Sequence, residues 1–155
     1  MNMTAAVLVL AALPFTAVDK VGPENVARHV TGKELGESLQ KGMTPQAFYS
    51  QVTLSKHDTY LVLNTSRDKS GQAEVHDSWS DNIFIQDGEA SFVTGGVAVD
   101  AKDSAPGEKR GTSIKGGTTM VMRPGDYFFV PAGTPHQMIL KPGQKLKFIV
   151  FKTHK

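Results

Sequence analysis

The sequence contains no cysteine. Disulfides, thiolate nucleophiles and cysteine-ligated zinc are therefore excluded, and any bound metal must take oxygen and nitrogen ligands. Neither sign of charge dominates: 17 Lys and Arg stand against 15 Asp and Glu, a formal net charge of +2. No stretch interleaves basic residues with aromatics, so the footprint of a nucleic-acid binder is missing. No apolar run reaches the roughly 20 residues that a membrane-spanning helix needs. There is no G-x-S-x-G elbow for a serine nucleophile, and no phosphate-cradling glycine motif opening a helix. Internal repeats and coiled-coil heptads are also lacking.

What is present is one domain's worth of chain, 155 residues. A chain of this size buries roughly 68–70% of its unfolded surface and needs no metal merely to fold. Gly (15) and Pro (8) are frequent, which suits many turns and short strands better than a helical bundle. Residues 1–17, MNMTAAVLVLAALPFTA, carry no charge, and the first charged residue is Asp19. The run resembles a secretory leader but has no basic residue before it, and Phe15 fits poorly three before a cleavage after Ala17. The other reading is a buried strand at Ala6–Leu10 in the folded protein; periodicity does not separate the two. Export to the periplasm follows from the first reading, a cytoplasmic location from the second.

The segment TGKELGESLQK at 31–41 has the pattern of a short helix. Thr31 and Glu34 form a capping-box spacing, Leu35 and Leu39 share a face, and Gly42 is a stop. From Ala47 onward, short apolar or alternating runs recur between turn sequences, at 47–54, 59–65, 72–77, 82–86, 90–94, 96–99, 119–123, 126–130, 136–140 and 145–151. Such spacing predicts an all-β, antiparallel sandwich or barrel. The stretch 100–118 reads as a long polar, Gly-rich loop. Arg67 opens the turn RDKSG at 67–71 and is expected in solvent. The organisation expected is a leader or strand over 1–17, an extension with the helix over 18–45, and a barrel over 46–155.

Two segments carry candidate chemistry. In AEVHDSWSDNIFIQDG, residues 73–88, Glu74 and His76 are two apart and share one face of a strand, and Asp81 follows. In GDYFFVPAGTPHQMIL, residues 125–140, an aromatic strand runs into a Pro-Gly turn and His136 opens the next strand. Two histidines and two carboxylates at strand ends can converge on one end of a barrel.

On these residues the sequence resembles the cupin superfamily. Glu74-x-His76, Asp81 and Gly88 keep the spacing of the first cupin motif, with Glu74 standing in for its first His and Asp81 for its Glu. Gly125, Pro131, Gly133 and His136 keep the spacing of the second, with Leu140 in place of its closing Asn. More narrowly, the arrangement looks like small single-domain bacterial cupins. The resemblance covers about residues 25–151. It implies a conical antiparallel jelly-roll barrel with a metal inside one end, held by Glu74, His76, Asp81 and His136. Two imidazoles favour a transition metal over Mg or Ca, and Fe, Mn, Zn or Ni all suit the set. It implies further a metal-dependent enzyme acting on a small organic substrate by lyase, isomerase or dioxygenase chemistry, with Glu74 or Asp81 able to act as general base. The alternative is a non-catalytic module that binds a small ligand or a metal. A homodimer is the expected assembly.

His57, Tyr60, Trp79, Tyr127, Phe129 and Arg110 are candidates for contact with the substrate, each with a blander reading as core or surface. Arg110, with Lys115, can reach a substrate carboxylate if the 100–118 loop folds over the mouth. His29 and His154 are expected in solvent.

Overall fold

The structure is a computed structural model and describes residues 27–44 and 49–155. The segment 1–17, and with it the choice between leader and strand, lies outside the described residues. Helix α1 spans Gly32–Gly42 as its sequence predicts. The Thr31 hydroxyl accepts from the Glu34 N–H, and the Glu34 carboxylate accepts from the Thr31 N–H at 2.8 Å. These two bonds satisfy donors that the first turn would otherwise leave unpaired. Leu39 is the buried residue of the helix, which packs on the first strand.

Strands β1 (Tyr49–Lys56), β2 (Tyr60–Arg67), β13 (Leu146–His154), β4 (Trp79–Gly88) and β11 (Tyr127–Val130) form one antiparallel sheet, in the order β1-β2-β13-β4-β11. The second sheet has the order β10-β5-β12-β3-β8-β7. Its strands are β10 (Thr118–Met122), β5 (Ala90–Thr94), β12 (His136–Ile139), β3 (Ala73–His76), β8 (Glu108–Gly111) and β7 (Lys102–Ala105). A small ribbon pairs β6 (Val97–Val99) with β9 (Ser113–Lys115). The jelly-roll expectation holds as two facing antiparallel sheets.

The stretch 100–118 is a correction. It is not a loop but carries β7, β8 and β9. Its strands are polar and largely exposed, so they lack the apolar alternation that announces a strand in sequence. Backbone pairing with β3 makes β8 a strand.

Alternation explains the core. Along β4, Asp81, Ile83 and Ile85 point inward while Phe84 is half-exposed. Along β13, Leu146, Phe148 and Val150 do the same. They pack with Leu63, Phe92, Met122, Val130 and Met138 into one cluster. Truncating a buried Ile, Leu or Phe there to Ala costs about 2–5 kcal/mol, transfer and cavity terms together. The motif glycine Gly88 sits at φ +86°, and a Cβ there would press on the carbonyl of Lys145. Only glycine meets both demands.

Candidate functional site

Four polar side chains singled out in two segments of the sequence, Glu74, His76 and Asp81 in one and His136 in the other, meet between the sheets. The register places them. His136 lies opposite Glu74 across β12 and β3. The motif glycine Gly133, at φ +82°, donates its N–H to the carbonyl of His76 at 2.7 Å. That bond ties the turn before His136 to the strand carrying the other histidine.

The Nε2 of His76 is 3.5 Å from Asp81 Oδ2 and 3.7 Å from Glu74 Oε2. The Nε2 of His136 is 3.7 Å from Asp81 Oδ2 and 3.8 Å from Glu74 Oε2. Both rings are buried, at 4% exposure each. Each ring uses its other nitrogen for orientation: His76 Nδ1 meets Glu108 Oε2 at 2.6 Å, and His136 Nδ1 meets the Thr134 carbonyl at 3.0 Å. With Nδ1 engaged behind the ring, Nε2 is the nitrogen that each histidine turns to the common centre, and it offers a lone pair there once the ring is neutral. His76 Nε2 has no hydrogen-bond partner among the described residues.

The carboxylates are arranged likewise, one oxygen inward and one toward a cation. Glu74 Oε1 lies 3.8 Å from Arg110 Nε, and Asp81 Oδ1 lies 2.5 Å from Lys152 Nζ. Arg110 Nη1 also donates to Glu108 Oε2 at 3.1 Å. These pairs are cross-strand neighbours: Glu74 with Arg110, His76 with Glu108, Asp81 with Lys152.

The electrostatics follow. Burial pushes the Asp81 carboxyl up, but His76, Lys152 and His136 outweigh it and hold Asp81 well below the usual range. Burial raises Glu74 too, and Arg110, His136, Arg67 and His76 bring it below its ordinary value. Glu108 is lowered in the same sense, chiefly by His76 against its own burial. Burial depresses His76, yet Asp81 and Glu108 raise it to about 9. Burial dominates at His136, which sits below its ordinary value. Two carboxylates that stay ionised suit ligation and charge stabilisation better than proton storage, since an effective general base titrates near the working pH.

The donor set fits a divalent transition metal. Donor atoms about 2.0–2.2 Å from one cation lie some 3.0–3.5 Å from each other. The four histidine-to-carboxylate spacings, 3.5–3.8 Å, need only a small contraction. Glu74, His76 and His136 offer ligand atoms within 4.8 Å of one another, a grouping able to hold an ion. Asp81 Oδ2 faces the same centre.

The cluster opens into a cavity of about 280 Å³. Leu61, Leu63, Ile83, Met138, Phe148 and Val150 form its apolar wall. Arg110 lines it from strand β8 and is engaged by Glu108 and Glu74. Other candidates lie elsewhere. Tyr127 and Phe129 are 50% and 56% exposed on the outer side of β11, because the alternation turns Phe128 and Val130 inward. His57 stacks on Tyr60 beside the β1–β2 turn, away from the cavity lining. Trp79 packs edge-on against His154 and does not line the cavity either. Lys115 is exposed on β9.

Several residues of the cavity escape a sequence reading, the charged Glu108, Arg67 and Lys152 among them. Glu108 sits in the stretch taken for a loop. The signal available was the Pro106-Gly107 turn followed by alternating Glu108, Lys109 and Arg110. Arg67 is not in solvent but closes β2 with 8% exposure, its guanidinium 5.5 Å above the Tyr49 ring and on the cavity wall. Strand β2 continues two residues further than its apolar run, which carries Arg67 inside.

No protein-family model matches the sequence, and no curated protein matches it. Solved structures do resemble the chain. A protein with a double-stranded β-helix domain from Klebsiella pneumoniae matches at a TM-score of 0.58 and 12% identity, over 83% of this chain and 91% of that one. A cupin domain from Schizosaccharomyces pombe matches at 0.53 and 10% identity, over 75% and 72%. The polyketide cyclase RemF from Streptomyces resistomycificus matches at 0.50 and 19% identity, over 70% of this chain and 66% of that one. At these identities the likeness is one of architecture, and it agrees with the two facing sheets and the paired motifs: the chain has the cupin fold.

Proposed function

We propose that the protein is a metal-dependent enzyme for a small organic substrate, with lyase, isomerase and dioxygenase reactions as the compatible classes. One observation carries the reading. Two buried imidazole Nε2 atoms and two carboxylate oxygens converge on one point at the edge of an interior cavity. Glu74, His76 and His136 hold the ion, with Asp81 beside them. A divalent cation held there supplies Lewis-acid polarisation of substrate oxygens, and redox chemistry if it is iron.

The chain's own residues set the conditions. Glu108 and the Thr134 carbonyl fix the two rings, so ligation begins from oriented donors. Arg110 and Lys152 keep Glu74 and Asp81 charged. The apolar part of the wall lowers the local polarity, which strengthens the charge interactions at the cluster. The cyclase among the similar folds supports an enzyme of this architecture.

Metal analysis of untagged protein, before and after addition of Fe, Mn, Ni or Zn, tests the site. About one ion per chain is expected, and loss of it in His136→Ala. Substoichiometric metal with none gained on addition overturns the reading. A substrate screen on metal-loaded protein separates enzyme from binding module: turnover abolished in His136→Ala supports the enzyme, ligand retention without turnover the module.

A further inference from the structure

Among the described residues, one cation of the cavity lies outside the ion pairs of the Glu74–His76–Asp81–His136 cluster. Among its lining are three cationic side chains, Arg67, Arg110 and Lys152, and three carboxylates, Glu74, Asp81 and Glu108. Arg110 is paired with Glu108 and Glu74, and Lys152 with Asp81. Arg67 is different. Its Nε and Nη1 are buried and have no hydrogen-bond partner among the described residues. The nearest stabilising contacts are the Tyr49 ring at 5.5 Å and the field of Glu74. A buried guanidinium with unmade hydrogen bonds is costly, so its retention calls for an explanation.

Thr65 shares the arrangement. It lies two residues before Arg67, on the same face of β2, and also lines the cavity. Its hydroxyl is buried and likewise has no partner among the described residues. Thus β2 presents Leu61, Leu63, Thr65 and Arg67 in succession to one cavity, two apolar and then two polar. Gly71 stands against the guanidinium, and a Cβ there would strike Arg67 Nη1.

We propose that Arg67 and Thr65 form the anchor for a carboxylate group of a small organic acid whose other end reaches the Glu74–His76–His136 cluster. This rests on reading the cluster as a metal site within a substrate cavity, and it names the class of substrate. A guanidinium N–H and a hydroxyl match the two oxygens of a carboxylate. A phosphate, with three acceptor oxygens and up to two charges, is left under-satisfied by so few donors. Charge agrees: the cations and carboxylates of the wall cancel, and a divalent ion at the cluster leaves the cavity positive by two. A volume near 280 Å³ is at the small end of ligand pockets, which fits a compact acid.

The test uses the full chain, metal-free and metal-loaded, with acetate, malonate, pyruvate and succinate as probes. The Arg67 side-chain N–H resonance is followed by NMR, and metal content is measured on the same samples. At least one probe is expected to shift that resonance saturably, while malonamide and pyruvamide leave it in place. Arg67→Gln weakens the binding at least tenfold without loss of metal, and Arg67→Lys restores part of it. Should Arg67→Gln not fold, Gly71→Ala, which displaces the guanidinium, serves instead with the same expectation. No saturable shift with any carboxylate, equal binding by the variants, or inorganic phosphate binding where carboxylates do not, each overturns the anchor. Metal without carboxylate binding defeats this inference alone. Carboxylate binding at Arg67 in a chain that takes up no metal supports the anchor and defeats the metal reading.

Discussion

Lys152 Nζ lies 2.5 Å from Asp81 Oδ1, and both side chains are largely withdrawn from solvent, at 12% and 7% exposure. They are cross-strand neighbours on β13 and β4, so the contact is set by register and not by a flexible reach. Removing Lys152 leaves Asp81 only its histidine neighbours, so the cost falls at the low end of the roughly 3–5 kcal/mol for breaking a buried pair. Lys152→Met is therefore expected to lose about 3 kcal/mol in urea unfolding. The double variant with Asp81→Asn should recover most of that loss. An additive pair of losses would show that the two side chains are independent.

Metal uptake should depend on pH through His76. Its pKa in the metal-free protein is raised from 6.5 to about 9. The protonated ring contributes stability that is complete below about 6.5 and is lost as pH climbs through about 9. A metal must displace that proton. Apparent affinity should thus rise about tenfold per pH unit from 7 toward 9 and then level off. Chelator competition across that range measures it, and a flat profile would show that His76 is already neutral or does not ligate.

Glu108 should act on affinity from behind the ligand. Glu108→Gln removes the charge at His76 Nδ1, so the His76 pKa falls and the ring becomes a poorer donor. Loss of such an outer partner typically costs 10–100-fold in metal affinity. A fluorescent zinc competitor gives the affinity, and an NMR titration gives the ring pKa; both should move together.

Gly88→Ala tests the turn that closes the first motif. The left-handed conformation costs a side-chain-bearing residue about 1–3 kcal/mol, and the clash with Lys145 adds to it. A loss above 2 kcal/mol is expected. Gly36→Ala is the control, because nothing lies near its Cβ and the position is helical. Its unfolding midpoint should stay level or rise.

The sequence made the motif residues and most strands legible because each announces itself locally. Thr31 and Glu34 mark the helix start, and Gly125, Pro131 and Gly133 mark the turn before His136. What stayed hidden was decided by partners distant in the chain. Strand β8 is polar, and only its pairing with β3 makes it a strand. Arg67 looks like a turn residue until β2 is seen to run on to it. Tyr127 and Phe129 alternate like core residues, but the buried face of β11 belongs to Phe128 and Val130. A one-residue difference in phase reverses which face is wet, and local pattern does not fix it.

The β7–β8 hairpin has one more consequence. It joins the sheet only through β3 and gives no residue to the central apolar cluster. Yet it carries Glu108, which together with Asp81 raises the pKa of His76, and Arg110, which lowers that of Glu74. Folding and tuning are therefore handled by separate parts of the chain. Substitutions in the hairpin are expected to retune His76 and Glu74 while the apolar core behind them stays the same.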